Sequence, residues 1–476
     1  MRHERSHTKL IATMGPATRN KEILEKMFHE GVDVCRINCS HGTREEHLET
    51  IKCINELNKE LGTNVAILAD LQGPKLRVGI MENDRVMLEE GQQFTFVNTP
   101  CTGTKDLAYL SYEKLPADVT PGEMILVDDG KLIFEVIESN GKDRVITKVI
   151  AGGPLSTKKG VNLPHTRVSM PSLTEKDIED AQFVLDQKVD WIALSFVRKE
   201  KDINDLRKIV KAHPNNAGII AKIEKPEALR EISEIIEAAD AIMVARGDLG
   251  VEVEFNRVPV IQKSIIKKCH ELSKPVIVAT QMMESMISNP TPTRAEANDV
   301  ANAVLDGADA VMLSGETAVG KYPVQTIINM QKIIDSTETE EYIYYRKHKP
   351  RMKEESFLAE SICYNATRLA EHVDAAAIVT LTHSGFTAIK ISSHRPKAPI
   401  FAFTRNEDLL RDLSLVWGVR SFYFGECQNI NEYIEYTEEF LVSQNHLKKG
   451  DLVVHVGSIP ILQKGKTNML KITRVS

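Results

Sequence analysis

From the N-terminus to about residue 340, short apolar runs recur, and each ends in polar or charged residues before an amphipathic stretch begins. The eight runs cover residues 9–15, 32–40, 65–73, 191–197, 218–224, 241–250, 275–282 and 310–317. Near-continuous apolar runs of this length suit parallel strands buried on both faces, because a strand with one wet face would alternate. Helical patterns fill most of the gaps, at 21–29, 44–61, 175–187, 202–212, 226–238, 258–272 and 294–305. Thr174 with Asp177, Pro226 and Gly31 supply helix start and stop signals. Eight strand–helix units predict an α/β protein built on a (β/α)8 TIM barrel; a doubly wound open sheet is the competing layout, and the count favours the barrel.

The rhythm breaks between the third and fourth runs. Residues 74–167 alternate with period two and carry hairpin signals at Asp129-Gly130 and Asn140-Gly141. They predict a small all-β, barrel-like domain inserted in a βα loop, placed as a lid over the mouth. After a charged stretch at 338–355 the alternation of helix and strand resumes, with strands expected at 375–381, 399–403, 421–424 and 452–456. The expected division is therefore a barrel of 1–73 and 168–342, a lid of 74–167, and an open-sheet α/β domain of 343–476 for regulation or assembly. Three domains suit 476 residues.

Composition narrows the function classes. A net charge of −7 with scattered Lys and Arg leaves no footprint for nucleic acid. No apolar run approaches the ~20 residues that cross a bilayer. The opening MRHERSHTKL lacks the apolar core of a secretory leader. Seven cysteines with no CxxC pair are expected to be reduced thiols of a cytoplasmic protein.

Side chains two apart on a strand share a face. That places Arg36, Asn38 and Ser40 together after the second strand, Lys222 and Glu224 after the fifth, and Ser314 and Glu316 after the eighth. Asp70, Asp248 and Thr280 sit at comparable ends of the third, sixth and seventh. Buried salt bridges or strand caps could explain any one of them. Six strand ends converging on one mouth point instead to a site, because barrel enzymes build theirs at the carboxyl ends. Glu224 and Asp248 offer oxygen ligands to Mg²⁺, and Lys222 and Arg36 offer positive charge to a phosphoryl group. The glycines of Ala245-Arg246-Gly247-Asp248-Leu249-Gly250 allow a close approach to an anion such as a carboxylate. The chain has no GxxxxGK[ST], no GxGxxG and no HRD or DFG element, so any nucleotide is held by other means.

Ser40-His41-Gly42 after CRIN, then ADLQGPKLR, AKIEKPE, MVARGDLG, ATQMMESM, PTRAEANDVANAVLDGAD and MLSGETAVGKYP, in this order, resemble the motifs of pyruvate kinase. The resemblance implies that phosphoenolpyruvate, ADP and a proton give pyruvate and ATP, the last step of glycolysis. It implies that Arg36 and Lys222 bind the transferring phosphoryl group and that Lys222 also offsets enolate charge. Glu224 and Asp248 would hold Mg²⁺, with Mn²⁺ as a substitute and a second Mg²⁺ arriving with the nucleotide. Gly247, Asp248 and Thr280 would receive the substrate carboxylate. Asn38, Ser40, His41, Arg77 and Lys159 match nucleotide-contacting positions. Thr280, Ser314 and Glu316 match the region that relays a proton to the enolate carbon. A cytoplasmic homotetramer is the usual assembly of the family.

Two departures carry expectations of their own. Asn38, Ser40, Asp70 and the carbonyl of Leu71 match the monovalent-cation site of potassium-dependent members, which carry Glu where this chain has Lys75 and Thr-Lys where it has Leu71-Gln72. Leu71, Gln72 and Val78 shift together as in potassium-independent members, so the Lys75 ammonium is expected to serve in place of K⁺. Thr382, Ser384, Gly385 and Thr387, in the loop 382–387, resemble the family's effector-phosphate loop. The loop 458–468 lacks the Trp and Arg of fructose-bisphosphate-responsive forms, though Lys464 and Lys466 are basic. A sugar monophosphate or AMP is the expected kind of effector. A Mg²⁺-dependent barrel lyase or aldolase, and a relative that only binds, are the competing readings. The lid and the run from Arg36 to His41 disfavour the first, and the intact Lys222, Glu224 and Asp248 disfavour the second.

Overall fold

The computed structural model describes residues 6–476 except 165, 167, 347, 351–355, 426, 428 and 461–466; Lys464 and Lys466 lie outside the described residues. The apolar runs become strands β1 (Lys9–Thr13), β2 (Val34–Asn38), β3 (Ala66–Asp70), β4 (Trp191–Leu194), β5 (Gly218–Ile223), β6 (Ala241–Ala245), β7 (Val276–Ala279) and β8 (Ala310–Leu313). They close a parallel barrel in sequential order, with β1 paired to both β2 and β8. The open-sheet alternative falls away. Each strand stops four to six residues in, short of the polar end of its run. Ala245 therefore hands over to a short helix, Arg246–Glu252, and Leu313 leads into Gly315–Ala318. Ser314 and Glu316 thus lie on a helical turn, and the strand argument that put them on one face does not apply to them.

The helices bury the stripes that their periodicity marks. Thr174 and Asp177 form the expected capping box before Glu175–Asp186, and Pro226 opens a first turn. The 226–238 pattern, read as one helix, is two, Pro226–Arg230 and Ile232–Ala238, because the backbone of Glu231 (φ −108°, ψ 27°) leaves the helical region. A helix that the pattern reading passed over, Pro323–Thr337, follows β8 and buries Ile327, Met330 and Ile334.

Between β3 and β4 the chain makes a seven-stranded sheet and a separate two-stranded one. The two expected hairpins are present, joining Met124–Val127 to Leu132–Ser139 and that strand to Arg144–Ala151. Phe94, Phe96 and Phe134 pack edge-on or tilted at its centre. The C-terminal sheet consists of β9 (Ala377–Leu381), β10 (Ile400–Thr404), β11 (Val419–Tyr423), β12 (Leu452–Gly457) and β13 (Met469–Arg474), ordered β11-β10-β9-β12-β13. The first four are parallel. β13 is an antiparallel edge strand whose mostly wet side chains gave no run to find.

This last sheet's domain plugs the barrel floor. Leu415 packs among the inward side chains Ile11, Val34, Leu68 and Trp191. Arg395 pairs with Asp309 at 2.9 Å, and Arg411 with Asp190 at 2.9 Å. Among the described residues no helix is long and apolar enough to cross a membrane. All seven cysteines are free thiols.

Candidate active site

The carboxyl ends of the strands frame a cavity of about 130 Å³ lined by Arg36, Asp70, Lys222, Glu224, Asp248 and Thr280 among others. Its base is a buried charge network. Arg36 donates from Nε to Asp70 Oδ2 at 2.8 Å and from Nη1 to Thr13 Oγ1 at 2.9 Å. Lys222 Nζ lies 3.2 Å from Asp70 Oδ1 and 2.9 Å from Glu224 Oε1, and donates to Ser195 Oγ at 2.8 Å. The backbone N–H of Phe196 donates to Glu224 Oε2 at 2.7 Å. Four charged side chains and three dipoles, the Thr13 and Ser195 hydroxyls and the Phe196 N–H, thus hold one another in geometries that the strands dictate.

Burial opposes the charge on Asp70, yet the Lys222 ammonium and the Arg36 guanidinium hold its carboxyl below the usual range. Burial would lower Lys222, but Asp70 and Glu224 keep the ammonium firmly protonated. Glu224 shifts the other way. Burial raises it, with the Asp248 charge adding to the effect, by more than Lys222 lowers it. Lys222 is divided between Glu224 and Asp70, and Asp248 has only Lys75 at 3.4 Å, so the carboxylates at this edge can take one more cation.

That donor set fits Mg²⁺, a hard ion that takes oxygen ligands and needs only one or two protein carboxylates beside substrate oxygens. Among the described residues no group of three or more His, Cys, Asp and Glu forms a metal cage.

The remaining residues divide by position. Asn38, Ser40, His41 and Arg77 line the same cavity. Burial, then Arg77 and Arg36, pushes the His41 imidazole down, favouring its neutral form. Lys159 is not among the lining residues; it pairs with Asp128 within the inserted domain at 2.8 Å. Gly247 donates its N–H to Thr280 Oγ1 at 2.7 Å, and Thr280 adopts φ +71°. Ser314 and Glu316 stand behind the wall. Glu316 accepts from the N–H of Met283 and of Ser314, at 3.1 and 2.7 Å, and so fixes the loop that carries Thr280.

Lys75 lines the cavity, but its Nζ lies 3.4 Å from Asp248 Oδ1. The expected partners are already engaged. Asp70 is taken by Arg36 and Lys222, the carbonyl of Leu71 accepts from Ser195 Oγ at 2.8 Å, and Asn38 Oδ1 accepts from the N–H of Ser40. The structure therefore does not bring the ammonium to that set.

Thr13 and Ser195 belong to the network and escaped the sequence reading. Both follow the signal that exposed the others, a polar residue at the carboxyl end of a barrel run, in KLIAT and WIALS. A larger cavity of about 560 Å³ lies at the barrel floor, lined by Arg207, Asp240, Lys274 and Asp412 among others. Its Arg207 is spent on Asp240 at 2.6 Å, so size does not make it the better site.

A closed barrel whose mouth gathers cations and a carboxylate pair defines an enzyme acting on anionic, oxygen-rich substrates. The family profile for the pyruvate kinase barrel domain matches residues 5–327, and that for the pyruvate kinase alpha/beta domain matches 360–473. A pyruvate kinase of Geobacillus stearothermophilus is 44% identical over 479 residues, covering 98% of this chain and 80% of the relative. One from Methylorubrum extorquens is 41% identical over 469 residues, covering 98% and 97%. The crystal structure of a pyruvate kinase from Cryptosporidium parvum superposes with a TM-score of 0.92 at 34% identity, covering 99% of this chain and 96% of that one. The chain belongs to the pyruvate kinase family and is a phosphotransferase of that kind.

Proposed function

We propose that the mouth cavity transfers the phosphoryl group of phosphoenolpyruvate to ADP, giving pyruvate and ATP. The observation that carries the assignment of roles is the meeting of Arg36 and Lys222 with Glu224 and Asp248 in one small cavity. Arg36 and Lys222 hold the phosphoryl group and offset the charge that spreads over its oxygens, the main demand of such a transfer. Asp70, locked between them, keeps both cations aimed at the cavity. Glu224 and Asp248 would hold Mg²⁺, which supplies charge neutralisation and orients substrate oxygens. Lys222 then faces the enolate oxygen as the phosphoryl group leaves. Thr280 is the cavity-facing member of the proton path to the enolate carbon, and Ser314 and Glu316 position it.

Residues 74–167 would act as the lid that excludes water, with Arg77 and Lys159 carried on it toward the nucleotide. A coupled assay for pyruvate from phosphoenolpyruvate and ADP tests the reading, and pyruvate formation that does not depend on ADP overturns it. A lyase or aldolase would have no such requirement.

A Mg²⁺-dependent activity that needs no K⁺ is a further proposal, supported by the joint pattern of Leu71, Gln72, Lys75 and Val78 rather than by the position of the Lys75 ammonium, which lies against Asp248. Strong activation by KCl over tetramethylammonium chloride at equal ionic strength would remove that idea. The loop 382–387 opens the helix Phe386–Ser393 with its Thr382 hydroxyl bonded to the N–H of Gly385. It is our candidate for an anionic effector, and a flat response of KM across a panel of phosphorylated metabolites would refute it. Exposed Phe255, Val260 and Leu358 support a homotetramer with barrel and C-terminal contacts. The free thiols suit the cytoplasm.

A further inference from the structure

The short helix Arg246–Glu252 carries Asp248 in its first turn and ends at Glu252, which is 96% buried by its 4% exposure. Glu252 Oε1 accepts two hydrogen bonds, from Lys225 Nζ at 2.6 Å and from Asn162 Nδ2 at 2.8 Å. Its Oε2 is buried and has no partner among the described residues. A buried carboxylate so sparsely served depends heavily on each donor it has.

The two donors come from different parts of the molecule. Lys225 follows Glu224 in sequence and lies 5.9 Å from the centre of the Phe196 ring, whose own N–H holds Glu224 Oε2. Asn162 ends the inserted strand Gly160–Asn162, which pairs with Leu76–Arg77 and with Met124–Val127. The same inserted strand runs close to the Lys75 side chain, since a Cβ on Gly160 would meet Lys75 Cε at 3.5 Å. Lys75 in turn reaches Asp248. The insert therefore grips the 246–252 helix at both ends.

We infer that Asn162, Glu252 and Lys225 form the latch that couples the position of the inserted lid to the metal carboxylates. Asn162 and Glu252 are positioning residues: they touch no substrate, and they act by setting the helix that presents Asp248. Movement of the lid strand breaks the Asn162 bond, frees the end of the helix and loosens Asp248. By reciprocity, a cation at Glu224 and Asp248 draws the lid strand down. The inference rests on reading Glu224 and Asp248 as the metal pair.

Mn²⁺ binding to the full-length protein, followed by the electron paramagnetic resonance of the free ion, tests it together with amide hydrogen exchange. Asn162→Ala keeps the Lys225–Glu252 pair, and Asn162→Asp sets a second carboxylate against Glu252. Both variants should bind Mn²⁺ about tenfold more weakly, the worth of one hydrogen bond to a charged group, and the Asp variant the more weakly of the two. Added Mn²⁺ should protect the amides of residues 160–163 in the wild type and fail to do so in the variants. A contact that serves only stability would lower the melting temperature and leave Mn²⁺ affinity at the wild-type value, and that result overturns the latch. Asp248→Asn separates the two failures. If it binds Mn²⁺ like the wild type, the metal assignment itself falls; if it does not, while both Asn162 variants do, the latch alone falls.

Discussion

The two ends of the barrel each bury aspartates, and they treat them in opposite ways. At the mouth, Asp70 lies between Arg36 and Lys222, and its carboxyl is held below the usual range despite burial. At the floor, where the C-terminal domain seals the barrel, burial raises Asp190 to about 7 even though Arg411 lies 2.9 Å away. Its neighbour Asp412 is raised to about 8 by burial and by the nearby Asp190 and Asp408 charges. The contrast follows from the count of cations in contact. Two at the mouth outweigh desolvation; one at the floor, shared among several acids, does not. The cations around Asp70 thus favour its anion at the mouth, whereas burial favours the protonated forms of Asp190 and Asp412 at the floor.

The largest effect that would break this contrast lies at the mouth. Lys222→Met should lower kcat by about a thousandfold, the scale of removing one preorganised charge from a transition state, as measured in the coupled pyruvate assay. Activity within about tenfold of wild type would reduce Lys222 to a structural counter-ion. Next, Asp70→Asn leaves Arg36 and Lys222 without their shared partner. It should cost about 3–5 kcal/mol of stability in denaturant titration, the usual penalty for orphaning a buried ion. A loss no larger than that of a surface mutation would mean that the mouth network is solvated and adds no rigidity.

The smallest effect sharpens the floor side. Asp190 and Asp412 keep a proton in the folded chain at pH values where an unfolded carboxyl, near 4, has lost it. The folded state then binds more protons than the unfolded one, so stability falls as pH rises from about 4 to about 8. The slope approaches about 1.4 kcal/mol per pH unit for each retained proton. Asp412→Asn should flatten the decline in melting temperature over this range. An unchanged slope would show that the floor acids are ionised and hydrated.

Much of this was legible without coordinates. Eight apolar runs, each buried on both faces, admit few solutions, and a closed parallel barrel is the one that leaves no edge. Arg36, Lys222, Glu224 and Asp70 could be read from their places at run ends, since a charge is tolerated there and nowhere deeper. The same rule misled at Ser314 and Glu316, because a run of apolar residues does not reveal where a strand turns into a helix. It also passed over Thr13 and Ser195, whose hydroxyls look ordinary until their partners Arg36 and Lys222 are seen beside them. Strand β13 gave no signal, being an edge with a mostly wet surface.

The sequence by itself therefore determined the barrel, the insertion point of the all-β segment and the charged residues of the mouth, because periodicity and position along a strand are local properties. Tertiary structure alone decided who meets whom. Lys75 faces Asp248 rather than the set around Asp70, Asn162 reaches Glu252 across 90 residues, and Asp190 meets Arg411 of the C-terminal domain. Those pairings depend on where separate segments dock. Docking is set by shape and burial summed over the whole chain, which no local pattern encodes.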